Sequence, residues 1–123
     1  MADDVTTMRV GSNLLVALRG DLDDSSVERI ERDVTNEVAR TRPGGVLINV
    51  TDLIMVDSYV ARVITRLIAM IRLLGAEAAI VGIQPAVAIS LVELGAPIAN
   101  VITALNTERG LARLSGLIDE RAG

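Results

Sequence analysis

Ser58 is the side chain of this sequence best placed to do chemistry. The segment 50–58, VTDLIMVDS, joins a predicted buried strand to a predicted long helix, so Ser58 falls in the first turn of that helix. Free backbone N–H groups and the helix dipole make such a terminus tolerant of a phosphate. Phosphorylation would add a charge of about −1.5 to −2 beside Asp57. From position alone, the favoured interpretation is that Asp57 or Ser58 only caps the helix. The functional alternative is a phosphorylation site at Ser58.

Four further residues are candidates for contact with a partner protein at the same edge: Asp57, Tyr59, Arg62 and Gln84. Tyr59 is the only aromatic residue, and it either anchors an interface or packs against the sheet. The polar side of the long helix carries Arg62, Arg66 and Arg72. They form either a solvated face or a surface that contacts a partner protein. Gln84 precedes a helix start that opens at the same sheet edge.

The residue types argue against an enzyme. The chain has no Cys and no His, and its twelve basic residues are all Arg. Thiolate nucleophiles, imidazole bases and most zinc sites are therefore excluded, and neither a His nor a Lys is available to activate Ser58. Asp52 and Asp57 are interpreted as loop caps rather than paired catalytic carboxylates. We expect no cofactor and no metal; an enzyme or small-ligand binder would need a polar pocket in an otherwise aliphatic protein.

Length and charge narrow the class of protein further. The 123 residues suit one domain, residues 1–123, with a core at about 8–118, and half of them are hydrophobic. A net charge of −4 and a single aromatic residue make nucleic acid a poor partner. The acidic start is unlike a secretory signal, and three arginines interrupt the most apolar stretch, 60–74, which argues against a membrane span. We expect a soluble cytoplasmic protein.

The first half of the chain predicts two strands, a helix and a third strand. Residues 8–10 and 14–19 are expected to pair antiparallel around a turn. Ser25 and Glu28 match a capping box at the start of a helix that ends at the Pro43-Gly44-Gly45 run. The apolar stripe of that helix is Val27, Ile30, Val34 and Val38. Residues 46–50 are continuously apolar, as in a strand buried on both faces, and 51–56 are expected to form a loop.

The second half predicts three helices and two strands. A long helix is expected from Asp57 to Leu74, with an apolar face formed by Val60, Ile64, Leu67, Ile71 and Leu74. Residues 78–81 are the next buried strand, and Pro85 starts a helix that ends near Leu94-Gly95. Residues 101–103 form a short strand before a last helix, which starts near Asn106 or Thr107 and buries Leu111, Leu114 and Ile118.

The order β-β-α-β-α-β-α-β-α indicates an α/β fold. Strands that alternate with helices predict a mainly parallel sheet covered by about four helices, with an antiparallel edge strand at the N-terminal end.

Several stretches carry a resemblance to a known family: residues 21–24, 52–58, 74–76, 81–88, 91–95 and 103–105. With these stretches, residues 14–114 resemble the STAS domains of bacterial anti-sigma-factor antagonists, above all the RsbS type, the small component of the stressosome. The pair Asp57-Ser58 is shared across STAS antagonists. The run from Gly82 to Ala88, GIQPAVA, is more specific to the stressosome type.

This resemblance implies a function and partners. Ser58 maps onto the family phosphoacceptor, with an RsbT-like serine kinase of the GHKL ATPase type and an RsbX-like PP2C phosphatase to reverse the reaction. Co-assembly with RsbR-like proteins through their STAS domains would give a large particle. That particle sequesters the kinase until phosphorylation releases it.

The resemblance also has departures. Tyr59 stands where simpler antagonists tend to have a small residue, which argues against a SpoIIAA-like role. The chain carries no sensory N-terminal domain, so we expect it not to be RsbR-like. Within the same fold, the alternative is a free anti-anti-sigma factor that binds an anti-sigma kinase directly, in a one-to-one complex rather than a megadalton particle.

Overall fold

The structure, a computed structural model, describes residues 5–54, 57–93 and 102–122, without the side chains of Ser58 and of residues 117–122. Within these ranges, strands and helices follow one another in the predicted order. Their bounds are β1 Val5–Val10, β2 Asn13–Gly20, α1 Asp24–Thr41, β3 Gly45–Leu53, α2 Ser58–Leu73, β4 Glu77–Val81, α3 Pro85–Glu93, β5 Ile102–Ala104 and α4 Thr107–Ala122.

The strands form one sheet in the order β1-β2-β3-β4-β5. β1 pairs antiparallel with β2, and every later pair is parallel. This arrangement confirms the predicted mixed sheet with an antiparallel N-terminal edge strand. Because β2 to β5 run in one direction, their carboxyl ends share one edge of the sheet, where α/β proteins place their sites.

Helices cover both faces of the sheet. Successive side chains of a strand point to opposite faces, and on β3 this separates Val46 and Ile48 from Leu47. The first two pack with α1 and α2, whereas Leu47 packs with Leu114 of α4. All three are fully buried, which confirms the prediction that β3 is covered on both faces.

The helical stripes explain which helix faces meet the sheet. The predicted apolar residues of α1 are at most 2% exposed, as are Val60, Ile64, Leu67 and Ile71 of α2. Leu74 was expected in the same stripe, but it is 42% exposed. It follows the last residue of α2 as the C-cap, where the backbone no longer keeps the helical period. In α4, Leu114 is buried as predicted and Leu111 is partly buried, whereas the Ile118 side chain lies outside the described residues.

The predicted capping box of α1 is wrong. The N-cap is Asp23, whose Oδ1 accepts hydrogen bonds from the Ser26 N–H at 2.8 Å and from the Ser25 hydroxyl at 3.0 Å. A carboxylate at this position stabilises the helix start more than a hydroxyl does, because its charge also interacts with the helix dipole. Helix α1 therefore starts at Asp24, and Glu28 is left exposed on its surface. The same hydrogen bonds hold the pKa of Asp23 below its ordinary value of 3.8.

The loop predicted at residues 51–56 is shorter than expected. β3 continues to Leu53 because β2 still pairs with it, Arg19 opposite Asp52 and Gly20 opposite Leu53. Met55 and Val56 lie outside the described residues, as do residues 94–101, where α3 was expected to end. In the part of the chain that the structure describes, no helix is both long enough and apolar enough to cross a membrane.

Candidate functional site

Ser58 is the first residue of α2, at the carboxyl edge of the sheet. Asp57 is the N-cap: its backbone is extended, and its Oδ1 accepts the Val60 N–H at 2.9 Å. The cap is therefore supplied by the carboxylate next to Ser58, and the Ser58 hydroxyl is not needed for it. The Ser58 side chain lies outside the described residues, so its exposure remains a prediction.

The chain approaches this helix from an exposed strand end. Asp52 is exposed, and Ile54 is 77% exposed although it is a large apolar residue. The Ile54 N–H donates to the Gly20 carbonyl at 3.0 Å, which ties the end of β3 to the end of β2. Asp52 and Asp57 therefore have separate positions, one on a strand and one capping a helix, and the described residues contain no cluster suited to a metal ion.

Gln84 lies beside this strand end, as its position before α3 suggested. Its Nε2 donates to the Thr51 carbonyl at 2.8 Å, across 33 residues of sequence. Gly82 makes the approach possible. Its φ is +77°, and a Cβ there would overlap the Thr51 hydroxyl and lie 3.0 Å from Thr51 Cβ. Nothing in the sequence pattern identified Thr51 as the partner, because no local spacing connects it with the β4–α3 turn.

Tyr59 packs against the core rather than standing free. Its partly buried ring joins the cluster between the sheet and the helices α1 and α2. It lines a groove of about 520 Å³ between these helices, together with Glu28 and Glu31 of α1 and Arg66 of α2. Arg66 Nη2 lies 3.0 Å from Glu31 Oε2, so one of the predicted surface arginines joins the two helices.

The environment of Tyr59 opposes its ionisation. Burial is the largest cause of its raised pKa, followed by the carboxylates of Asp24, Glu28 and Glu31, and the Arg66 guanidinium acts in the opposite direction. Tyr59 ionises with the ordinary pKa of 10.0 in the unfolded chain and with a higher pKa in the folded chain. The unfolded state thus loses the proton first, and stability falls as the pH rises past 10.0.

Titration of the single tyrosine should show this shift directly. Ultraviolet absorbance of the native protein should give an ionisation midpoint above 10.0. Glu28→Gln should lower that midpoint because it removes one of the three carboxylates. Asp33→Asn is the matched control, an exposed α1 carboxylate that does not contribute to the shift. A native midpoint at or below 10.0, or equal effects of the two variants, would contradict this account.

The structure brings the candidate contact residues to one end of the molecule. Asp57, Tyr59 and Arg62 occupy the cap and first turns of α2, and Arg62 is exposed. Gln84 follows Ile83, which packs on the cluster that contains Ala61 of the same helix. Sequence reasoning missed Thr51, together with Glu28 and Glu31 beside Tyr59, because these contacts connect distant parts of the chain.

A comparison with protein families decides which fold family this is. The model of the STAS domain matches residues 4–107. The chain belongs to the STAS domain family. Among solved structures, this STAS domain is similar to RsbS S58E from Moorella thermoacetica, with 33% identity and a TM-score of 0.84 over 92% of this chain and 96% of that chain. A chain from a structure of the stressosome gives 30% identity and a TM-score of 0.80 over 91% and 97%.

Curated relatives point to the same branch of the STAS family. The RsbT co-antagonist protein RsbRA of Bacillus subtilis is 31% identical over 107 residues, which is 87% of this chain and 39% of that protein. RsbRB of the same organism is 30% identical over 81% of this chain and 36% of its own length. The chain thus spans less than two-fifths of the length of these relatives. SpoIIAA in its unphosphorylated form, at 17% identity and a TM-score of 0.74, shares the fold. This STAS domain is therefore of the stressosome type, similar to RsbS and RsbR.

Proposed function

We propose that this STAS domain is a phosphorylation-controlled scaffold of bacterial stress signalling, in which Ser58 is the phosphoacceptor. The observation that carries the proposal is the position of Ser58. It opens α2 at the edge of the sheet, beside an exposed strand end, in a chain similar to RsbS over nine-tenths of its length. One solved form of that relative is its S58E variant. The role needs no catalytic group in the chain itself.

A phosphate on Ser58 would change the surface without unfolding it. The start of α2 offers backbone N–H groups and the positive end of the helix dipole, both of which favour negative charge. Asp57 already places one carboxylate there. Adding a charge of about −1.5 to −2 next to it makes this end strongly anionic. A partner that tolerates Asp57 alone would then meet like-charge repulsion or a desolvation cost.

The partner that responds to this change is an RsbT-like serine kinase. In the unphosphorylated state the kinase would bind across the end of the molecule that carries Asp57, Tyr59 and Arg62. Phosphorylation of Ser58 would weaken that contact and release the kinase, because a new charge within an interface costs several kcal/mol when it faces a like charge. An RsbX-like PP2C phosphatase would restore the binding state.

The scaffold itself would form with other STAS domains. Similarity to RsbRA, RsbRB and a stressosome chain supports co-assembly with RsbR-like proteins in a cytoplasmic particle. Such an assembly would raise the local number of kinase sites, so that many kinases are held until the Ser58 residues are phosphorylated.

Mapping of the phosphate tests the proposal. The chain is incubated with the RsbT-like kinase of the same organism and Mg-ATP, then digested with trypsin. Since it has no Lys and Arg42 precedes a proline, residues 41–62 form one peptide. Fragmentation of that peptide should place a single phosphate on Ser58, and Ser58→Ala should stay unmodified. No phosphate, or a phosphate on another hydroxyl of the peptide, would refute the proposal.

A further inference from the structure

The last residues of β3 are paired on one side only. β4 pairs with β3 up to Val81 opposite Asn49, whereas β2 continues to Gly20 opposite Leu53. Among the residues that the structure describes, the side of β3 that faces β4 therefore has no strand partner after Asn49. These are the residues from which the chain continues to Ser58.

The Gln84 side chain takes the place of the missing strand. Its Nε2 donates to the Thr51 carbonyl at 2.8 Å, two residues beyond the last β3–β4 pair. The Gly82 N–H donates to the Ala104 carbonyl at 3.1 Å, so the turn that carries Gln84 is itself fixed to β5. The left-handed backbone of Gly82 lets this turn lie directly on Thr51. The end of β3 is thus held by the β4–α3 turn through a side chain.

The same turn also supports the other end of the loop. Ile83 packs on a small apolar cluster formed by Ala61 of α2 with Val87 and Leu91 of α3. Ala61 is only 3% exposed, and its N–H donates to the Asp57 carbonyl. The segment from Gly82 to Leu91 therefore contacts the chain both before and after Ser58.

From this arrangement we propose that Gln84 is a positioning residue for phosphoryl transfer to Ser58. It holds the end of β3 at Thr51, and Ile83 of the same turn packs on the cluster that contains Ala61 of α2, so the two elements that flank Ser58 keep the relative position that the kinase needs. The inference rests on the proposed function, since it concerns the same serine. Loss of the hydrogen bond would let the end of β3 shift relative to α2, and displacement of a reacting hydroxyl by about 1 Å strongly lowers the rate of phosphoryl transfer within the bound complex. Gln84 acts through the position of these two elements and not through contact with the kinase.

Kinetics and hydrogen exchange together test this role. Gln84→Leu keeps the bulk of the side chain but removes the donor, and Asn36→Leu is the control, an exposed amide on α1. In the isolated chain, amides of residues 50–54 should exchange about fivefold faster in Gln84→Leu, the factor that one ordinary hydrogen bond gives. With the RsbT-like kinase and ATP, kcat for Ser58 should fall about tenfold while KM stays within about twofold.

A variant that restores the donor sharpens the test. Gln84→Lys places an ammonium within reach of the Thr51 carbonyl, so it should return the exchange of residues 50–54 to the wild-type rate. Unchanged exchange in Gln84→Leu, or a raised KM with an unchanged kcat, would overturn the positioning role in favour of direct contact. If the wild-type chain receives no phosphate on Ser58, the proposed function itself fails, and that result is separate from the exchange measurement.

Discussion

Ser58→Ala is expected to give a complex with the RsbT-like kinase that ATP cannot dissociate. Asp57 supplies the N-cap of α2, so alanine at the next position keeps the helix start and the surface around it. Only the phosphoacceptor hydroxyl is lost. Size-exclusion chromatography of the mixed proteins, with and without Mg-ATP, should show kinase release from the wild-type chain and full retention by Ser58→Ala.

Ser58→Glu should have the opposite effect. It places one permanent negative charge beside Asp57, less than the charge of about −1.5 to −2 of a phosphate. The affinity for the kinase should therefore fall by about tenfold or more, which corresponds to at least about 1.4 kcal/mol. Ser58→Asp should weaken binding in the same direction. Titration calorimetry or a sedimentation assay in the absence of ATP measures this effect.

A second glutamate variant separates local charge from net charge. Ser115 is exposed on α4, the helix that covers the opposite face of the sheet, so Ser115→Glu makes the same change of net charge far from Ser58. It should bind the kinase as the wild type does. Equal weakening by the two variants would mean that the kinase responds to overall charge, and tight binding by Ser58→Glu would remove the switch.

Local patterns were sufficient to predict most of the fold. The stripe of α1 and the buried run of β3 depend on periods of 3.6 and 2 residues, which packing on a sheet imposes directly. The N-cap of α1 was not predictable in the same way. Asp23, Asp24, Ser25 and Ser26 are consecutive and can all cap a helix, so the choice depends on where α1 meets the core. The length of β3 also depends on a distant strand, since β2 pairs with its last residues.

The same distinction between local patterns and contacts with distant parts of the chain applies to the candidate site. Asp57, Ser58 and Tyr59 are neighbours in the chain, so a helix start after a buried strand was enough to group them. The hydrogen bond between Gln84 and Thr51 connects the β4–α3 turn with the end of β3, 33 residues apart in sequence, and only the parallel register of β3 and β4 brings them together. Sequence patterns therefore predicted Ser58 as the candidate residue, but they did not predict the hydrogen bond that holds the end of β3.

Gly82→Ala is expected to destabilise the fold more than an ordinary glycine substitution does. Alanine at a φ of +77° costs about 1–2 kcal/mol through backbone strain alone. Its Cβ would also overlap the Thr51 hydroxyl and lie 3.2 Å from Asn49 Oδ1. Thr51 cannot move away easily because a β-branched side chain in a strand has few rotamers. The total loss should be about 2–4 kcal/mol in urea unfolding.

Gly75→Ala is the matched control for this effect. Gly75 has a φ of +94°, but a Cβ there would meet nothing within 4 Å, so its variant should lose only the strain of about 1–2 kcal/mol. Thr51→Ala in the Gly82→Ala background removes the overlapping hydroxyl and should recover part of the difference, since a tight contact of 3.0 Å with Thr51 Cβ remains. Equal losses in the free energy of unfolding for Gly82→Ala and Gly75→Ala would show that the β4–α3 turn does not lie close enough to β3 for an added Cβ to clash with Thr51. In that case the β4–α3 turn would hold the end of β3 through the Gln84 hydrogen bond alone.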